Sequence, residues 1–251
     1  MAQYFEIVDK KILVTGASSG IGKAVAIHLA LEGASLLING RDEQRLKETF
    51  ASLHGAGHDF VVGDLTDETC IENIAEKSSK IEGLVHCAGL VQLLPFRYQT
   101  EESIRTMMEV NYFAPTQLIH KLVKNKKLSK PASIVIISSI TSASSGTVGG
   151  SIYGSSKGAI EGLVRSLAIE LGRSKVRINT IAPGMVETEA IDSLRLQVSD
   201  DALKMDMRKY PLGRYGNPID VALACQYLLS DASNWVTGIR LVVDGGLSAQ
   251  S

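Results

Sequence analysis

Cysteine, proline, tryptophan and surplus charge are all scarce in this 251-residue chain. The three cysteines, Cys70, Cys87 and Cys225, are odd in number and far apart. They match neither a disulfide framework nor a zinc site, so no metal is expected and a reducing cytoplasm is the natural setting. With 26 basic and 27 acidic residues the net charge is −1. That balance offers little attraction for nucleic acid or an anionic membrane as principal partner. No apolar run reaches the roughly 18 residues that a membrane-spanning helix needs. The stretch from Met1 to Lys11 lacks a basic segment followed by an apolar one, and does not read as a signal peptide. Linkers, internal repeats and low-complexity tracts are missing too. What remains is 45% apolar and 21% charged, as in ordinary globular proteins. A chain of this length buries about 70–75% of its unfolded surface. Residues 1–251 are therefore expected to form a single domain.

Strand and helix patterns alternate from the start. Lys11 to Val14 is a short apolar run rich in β-formers, and Lys23 to Leu31 has helical spacing that stops at Gly33. Between them lies Thr15-Gly16-Ala17-Ser18-Ser19-Gly20-Ile21-Gly22. Strand, glycine turn and helix in that order form the first half of a βαβ unit. Glycines let the backbone turn tightly and approach a ligand, and the helix start offers free N–H groups and a positive dipole end to a phosphate. This context favours dinucleotide binding over a purely structural turn, although the spacing is Gly-x-x-x-Gly-x-Gly rather than Gly-x-Gly-x-x-Gly.

Ser35 to Asn39 reads as the second strand, whose carboxyl end would lie beside an adenosine ribose. An acidic residue there would bond both ribose hydroxyls and repel a 2′-phosphate. This chain has Gly40 and Arg41 instead. A guanidinium fork suits a phosphate, and Ser18 and Ser19 can add hydroxyl donors. That favours NADP(H) over NAD(H); the other reading leaves Arg41 as an exposed residue at a helix start. Asp59 to Gly63 is the third strand. After it, Asp64 could accept from an adenine amino group, or Asp64 or Thr66 could cap the helix over 67–80. Gly83 to Gly89 is the fourth strand, in which His86 and Cys87 read as buried filler.

Residues 99–130 carry helical periodicity, with Asn111 on an apolar face where its amide needs a partner. Lys121, Lys124, Lys126, Lys127 and Lys130 gather near the end of that stretch. They form either a solvated face complementing the dipole or a dock for an acidic partner. Ile134 to Ile137 is the most β-like run, followed by a helix over 152–172 and a strand from Val176 to Ile181 that Ala182-Pro183-Gly184 breaks. The Met-containing stretch at about 189–210 reads as an adaptable lid. A helix near 217–230 and a strand from Ile239 to Val243 complete the series. Seven strands alternating with helices imply an α/β fold with a doubly wound parallel sheet.

The chemistry centres on Ser139 to Lys157. Tyr153 and Lys157 are four residues apart, so on a helix they share a face. A free tyrosine, with a pKa of about 10, is a sluggish acid or base at neutral pH. A neighbouring ammonium would lower that value toward the working range. Ser139, at the end of a strand, could reach the same spot and hydrogen-bond a substrate oxygen. These are parts for moving a proton at a carbonyl or an alcohol.

Thr15-Gly16-x-x-x-Gly20-x-Gly22, Asp64, Ala88-Gly89, Asn111, Ser139, Tyr153-x-x-x-Lys157, Pro183-Gly184 and Asp244-Gly245-Gly246, in that order, resemble the short-chain dehydrogenase/reductase family over nearly the whole chain. The pattern is most similar to 3-oxoacyl-[acyl-carrier-protein] reductase-like members. The resemblance implies a Rossmann sheet with strand order 3-2-1-4-5-6-7. It implies that Gly16, Ser18, Ser19, Gly20, Ile21 and Gly22 line the pyrophosphate turn and that Arg41 meets the 2′-phosphate. Asp64 and Leu65 would bracket adenine, and Ala88 and Gly89 would lie against the adenosine ribose. Pro183 and Gly184 would contribute to the cofactor site, and Val186 and Thr188 would hold the carboxamide. Tyr153 would be the catalytic acid/base, Lys157 would lower its pKa and hold the nicotinamide ribose, and Ser139 would orient the substrate oxygen. Asn111 would hold a water in the proton relay. A homotetramer through helices 99–125 and 152–172 is expected on the same ground.

The pattern departs from the family at two places. His86-Cys87 stands where the family commonly has two asparagines, which removes amides that brace the central strand and places a thiol near the cofactor, where thiol sensitivity is expected. Ser19 is not basic, which leaves Arg41 as the main argument for a phosphate. The expected activity is NADPH-dependent reduction of a small-molecule ketone, with a 3-oxoacyl thioester as the substrate the resemblance suggests. The Lys121–Lys130 cluster with Arg173 and Lys175 could receive an acidic acyl carrier protein. An NAD(P)-dependent oxidation of a sugar, polyol, steroid or small alcohol uses the same fold. A nucleotide-binding regulator would have no reason to keep Ser139, Asn111, Tyr153 and Lys157 together.

Overall fold

The seven strands are β1 (Lys11–Thr15), β2 (Ser35–Gly40), β3 (Asp59–Val62), β4 (Ile81–His86), β5 (Leu128–Ile137), β6 (Val176–Pro183) and β7 (Arg240–Val243). In the computed structural model, which describes residues 2–189 and 200–250, they form one sheet in the order β3-β2-β1-β4-β5-β6-β7. Every pairing is parallel. The strand order is the one expected. The order reverses between β1 and β4, so the crevice beyond their carboxyl ends is the place where such sheets bind ligands. Thr15 and His86 are in register across that seam.

The helices among the described residues are α1 (Gly20–Leu31), α2 (Glu43–Ala51), α3 (Glu68–Lys77), α4 (Glu101–Met108), α5 (Ala114–Lys124), α6 (Ser151–Gly172), α7 (Asp200–Met207) and α8 (Pro218–Leu229). Side chains alternate along a strand, so a sheet covered on both faces needs apolar residues at nearly every position. β1 shows this directly. Ile12 and Val14 join one core layer with Val25 and Leu29 of α1 and Val221 and Leu228 of α8. Leu13 joins the other with Ile74 of α3, Leu118 of α5 and Ile160 and Val164 of α6.

Three boundaries differ from expectation. The periodic stretch at 99–130 is not one helix: α4 runs into a π turn over Glu109–Phe113, α5 ends at Lys124, and Leu128 already belongs to β5. Lys126 adopts a left-handed φ of 54°, which stops the helix, and Leu128 pairs with Ile81. The lysines that suggested a helix end straddle a helix, a turn and a strand. β6 continues through Pro183, which stays in register with Val243 of β7. Of the lid expected over 189–210, residues 200–207 are helix α7, and 190–199 lie outside the described residues. No helix among the described residues is long and apolar enough to cross a membrane.

Leu84 is fully buried at the centre of β4. Leu84→Ala is expected to lower unfolding free energy by about 2–5 kcal/mol in urea titration. A loss below about 1 kcal/mol would place that side chain outside the tightly packed core.

Candidate active site

The turn between β1 and α1 is built for close approach. Gly16 has φ +67° and Gly20 φ +52°, conformations that side chains disfavour. A Cβ on Gly22 would fall 2.1 Å from the Gly16 carbonyl oxygen, and one on Gly16 would fall 2.6 Å from the Ala88 nitrogen. The glycines therefore let α1, the turn and the end of β4 meet backbone to backbone. They border a cleft of about 540 Å³ lined by Gly16, Ser18, Ser19, Gly20, Ile21 and Gly22. Its other walls include Arg41, Asp64, Leu65, Ala88, Gly89 and Thr188. The first N–H of α1, on Gly20, donates to the Glu189 carboxylate at 3.1 Å. An anion thus already sits at the helix start, where the dipole favours one. A glycine cradle with an anion seat and flanking cations fits a dinucleotide diphosphate.

Arg41 follows β2, and its Nη1 lies 3.2 Å from Asp64 Oδ2. Both are open to solvent, with side chains 69% and 38% exposed. Asp64 also accepts from the Thr66 amide at 2.9 Å and its hydroxyl at 2.8 Å. Burial pushes the Asp64 carboxyl upward, but the hydrogen bonds from Thr66 and Arg41 outweigh it and hold the pKa low. The cap of α3 is Asp67, which accepts from the Thr69 amide, rather than Asp64 or Thr66. Arg45 also lines the cleft. Its signal in the sequence is its place one helical turn beyond Arg41, just inside the Asp42 cap. Ser18 presses against Gly40, where a Cβ would fall 2.9 Å from its Oγ. Two guanidinium groups and a serine hydroxyl therefore surround the end of β2.

The second group of residues stands at the carboxyl ends of β4 and β5. Lys157 is buried on α6, and its Nζ donates to the Ile137 carbonyl at 2.9 Å. That Nζ is 5.9 Å from the centroid of the Tyr153 ring. A Cβ on Gly89 would lie 3.4 Å from Lys157 Nζ and 3.3 Å from Asn111 Oδ1, so this glycine joins the cleft to those two side chains. Burial pulls the Lys157 pKa down to about 8, opposed by Cys87 and Glu161. Contrary to expectation, the Tyr153 phenol is pushed above its ordinary value. Burial dominates, and hydrogen bonding from Ser139 partly offsets it. The lysine faces the phenol ring, but its hydrogen bond goes to the main chain. Ser139 Oγ accepts from the Thr141 amide at 3.2 Å and from the Thr141 hydroxyl at 2.9 Å. With its acceptor sites taken, the serine is left to act as a donor.

Asn111 sits in the π turn, and its amide finds the partners it requires. Nδ2 donates to Leu90 O at 2.9 Å and Ser156 Oγ at 3.1 Å, and Oδ1 accepts from Leu90 N at 2.8 Å. These bonds tie the segment after β4 to α6. His86 is the buried filler expected, whereas Cys87 is half-buried and faces the cleft. Burial and the Lys157 charge hold His86 near pKa 3, and its Nδ1 meets Thr15 Oγ1 at 2.9 Å. Its Nε2 has no hydrogen-bond partner. Cys87 borders the cleft, but burial raises its thiol to about 12. That leaves almost no thiolate at neutral pH and argues against the expected thiol sensitivity.

Pro183, Gly184 and Val186 do not line the cleft. Gly184 packs against Asp244 and Tyr210, and Val186 is buried and bridges Gly216. Thr188 does reach it, with its methyl beside Gly20. Two of the clustered lysines are engaged: Lys121 pairs with Glu72 at 2.8 Å, and Lys127 donates to Ser78 O. Among the described residues no group of His, Cys, Asp or Glu is placed to hold a metal ion.

Known proteins match this arrangement along its length. A family model described as enoyl-(acyl carrier protein) reductase matches residues 16–248. A 3-oxoacyl-[acyl-carrier-protein] reductase of Chlamydia pneumoniae is 32% identical, covering 96% of this chain and 98% of its own. A 2,5-dichloro-2,5-cyclohexadiene-1,4-diol dehydrogenase of Sphingobium indicum is also 32% identical, covering 96% and 97%. A solved short chain dehydrogenase/reductase family protein superposes with a TM-score of 0.86 at 32% identity, covering 97% of this chain and 99% of its own. The structure of a candidate NAD(P)-dependent gluconate 5-dehydrogenase from Beutenbergia cavernae, with NADP at low occupancy, superposes with a TM-score of 0.88 at 31% identity, covering 98% and 99%. The chain belongs to the short-chain dehydrogenase/reductase family and is an NAD(P)-dependent oxidoreductase.

Proposed function

We propose that this protein reduces a ketone to a secondary alcohol with NADPH, and that its substrate is a 3-oxoacyl thioester. The observation that carries the reading is the chain of contacts at the end of β5: Lys157 Nζ lies beside Gly89 of the cleft and 5.9 Å from the Tyr153 ring, whose phenol is hydrogen-bonded by Ser139. A bound dihydronicotinamide supplies the hydride. Tyr153 gives its proton to the substrate oxygen. Because burial raises its pKa, the phenol is protonated at neutral pH, the form that a reduction requires. Ser139, already accepting twice from Thr141, directs its own O–H to the same oxygen and steadies the developing alkoxide. Lys157, in its charged form, favours negative charge at that place.

The glycine turn and the start of α1 hold the diphosphate. Arg41, Arg45 and Ser18 meet the 2′-phosphate, which supports NADP(H) over NAD(H). The Chlamydia pneumoniae relative supports the acyl substrate. The exposed Lys124, Lys126, Lys130, Arg173 and Lys175 support delivery of that substrate by an acidic carrier protein. Exposed Phe113, Val123 and Ile169 support a homotetramer through α5 and α6.

Tyr153→Phe is expected to reduce turnover of carrier-bound 3-oxoacyl substrate by about 10²–10⁴-fold while leaving NADPH binding intact. Rates near wild type would overturn the mechanism, and a wild-type enzyme that turns over only diols or sugar alcohols would overturn the substrate. Arg41→Ala should raise KM for NADPH about tenfold or more and leave NADH nearly unchanged. Equal effects on both would remove the 2′-phosphate role. Lys157 loses its proton as pH rises through about 8. The kcat/KM for ketone reduction should therefore decline above that pH, and a flat profile to pH 10 would exclude a charged lysine.

A further inference from the structure

The run Ser138-Ser139-Ile140-Thr141-Ser142-Ala143-Ser144 carries a substrate-facing serine on a turn with few apolar anchors. Its shape is held by hydrogen bonds to two charged residues from distant parts of the chain. Glu161 lies on α6, one turn beyond Lys157 and two beyond Tyr153, so all three share a face. Its Oε1 accepts from Ser138 Oγ at 2.7 Å, from Ser142 Oγ at 2.6 Å and from Arg240 Nε at 3.0 Å. Arg240 opens β7 and reaches across the sheet ends. Its Nη1 donates to Ser144 Oγ at 2.8 Å, and its Nη2 to the carbonyl oxygens of Ile140 at 3.3 Å and Ser139 at 3.5 Å.

We infer that the Glu161–Arg240 pair is a positioning device for the reaction, fixing the turn that presents the Ser139 hydroxyl; this rests on the role proposed above for Ser139. Together the two side chains grip the turn through three serine hydroxyls and two main-chain carbonyls. A pair of this kind, with the Glu161 side chain buried at 6% and the Arg240 side chain half-buried at 20% exposure, adds little net stability, because desolvation offsets the attraction. Its consequence is geometric. A guanidinium fork satisfies Glu161, Ser144 and two carbonyls at once, and a lysine ammonium in its place cannot. Glu161 also supplies negative charge close to Lys157, which couples the pair to the ammonium that faces Tyr153. Neither residue needs to touch substrate.

The test is a cycle of Arg240→Lys, Ser139→Ala and the combined variant, with kcat, ketone KM, NADPH binding and Tm measured for each. Arg240→Lys keeps the ion pair, so Tm and NADPH binding should stay near wild type while kcat falls about tenfold or more. In the Ser139→Ala background the same change should cost little further, because its effect passes through the missing hydroxyl. Full activity in Arg240→Lys, or losses that multiply in the combined variant, would overturn the inference. Should Arg240→Lys fail to fold, Glu161→Gln with Arg240→Met removes both buried charges. Restored Tm with depressed kcat then supports the inference, and recovery of both overturns it. An inactive Tyr153→Phe beside a fully active Arg240→Lys sinks this inference alone, whereas an active Tyr153→Phe sinks the reading beneath it.

Discussion

Lys157 carries an ammonium into the interior, and a buried charge costs several kcal/mol unless nearby groups answer it. Here the answer is the Ile137 carbonyl at the end of β5, held at 2.9 Å, with Glu161 one turn further along α6. That single bond joins the longest helix to a central strand at the edge where the cleft opens. Gly89 lets the segment after β4 come close to that nitrogen, and Asn111 closes the same corner from the other side. The ends of β4 and β5, the π turn and α6 are thus fixed around one nitrogen.

Helix α6 works as a ruler. Tyr153, Lys157 and Glu161 follow at intervals of four along one face, and each meets a different part of the site: phenol toward Ser139, ammonium toward the strand end, carboxylate toward the serine-rich turn. One step along the helix, Gly154 leaves the backbone bare, and a Cβ there would fall 2.8 Å from the Thr141 carbonyl oxygen. The turn therefore packs against the helix main chain itself, which brings Ser139 within reach of Tyr153.

Much of this was legible in the residues. Alternating apolar runs with glycine punctuation specify a parallel sheet because both of its faces must be covered. The spacing of Tyr153 and Lys157 specifies a shared helix face. Spacing does not specify distance or burial, however. The lysine bonds to main chain, and the phenol is governed by its burial, which no pair of letters reveals. Burial likewise suppresses the thiolate of Cys87. Arg45 was hidden because it reads as one charge among several on an exposed helix, and Asp64 because a carboxylate at a strand end serves equally as a cap, a base partner or an arginine partner. Arg240 and Glu161 lie 79 positions apart, so only the fold shows that they touch.

The π turn at Glu109–Phe113 has a further consequence. It holds one residue more than a regular ladder would use, and that surplus aims Asn111 at Leu90. Such irregularities recur at functional sites because they re-aim a side chain without ending the helix. Deleting one residue here would turn the π turn into a regular α turn, keeping the flanking helices in phase while re-aiming the side chains within it. The amide would then swing off its anchor while every flanking residue kept its identity. This stretch is constrained more tightly in its length than in its composition, so that a shortened version would look nearly unaltered on paper and yet lose the brace between the end of β4 and α6.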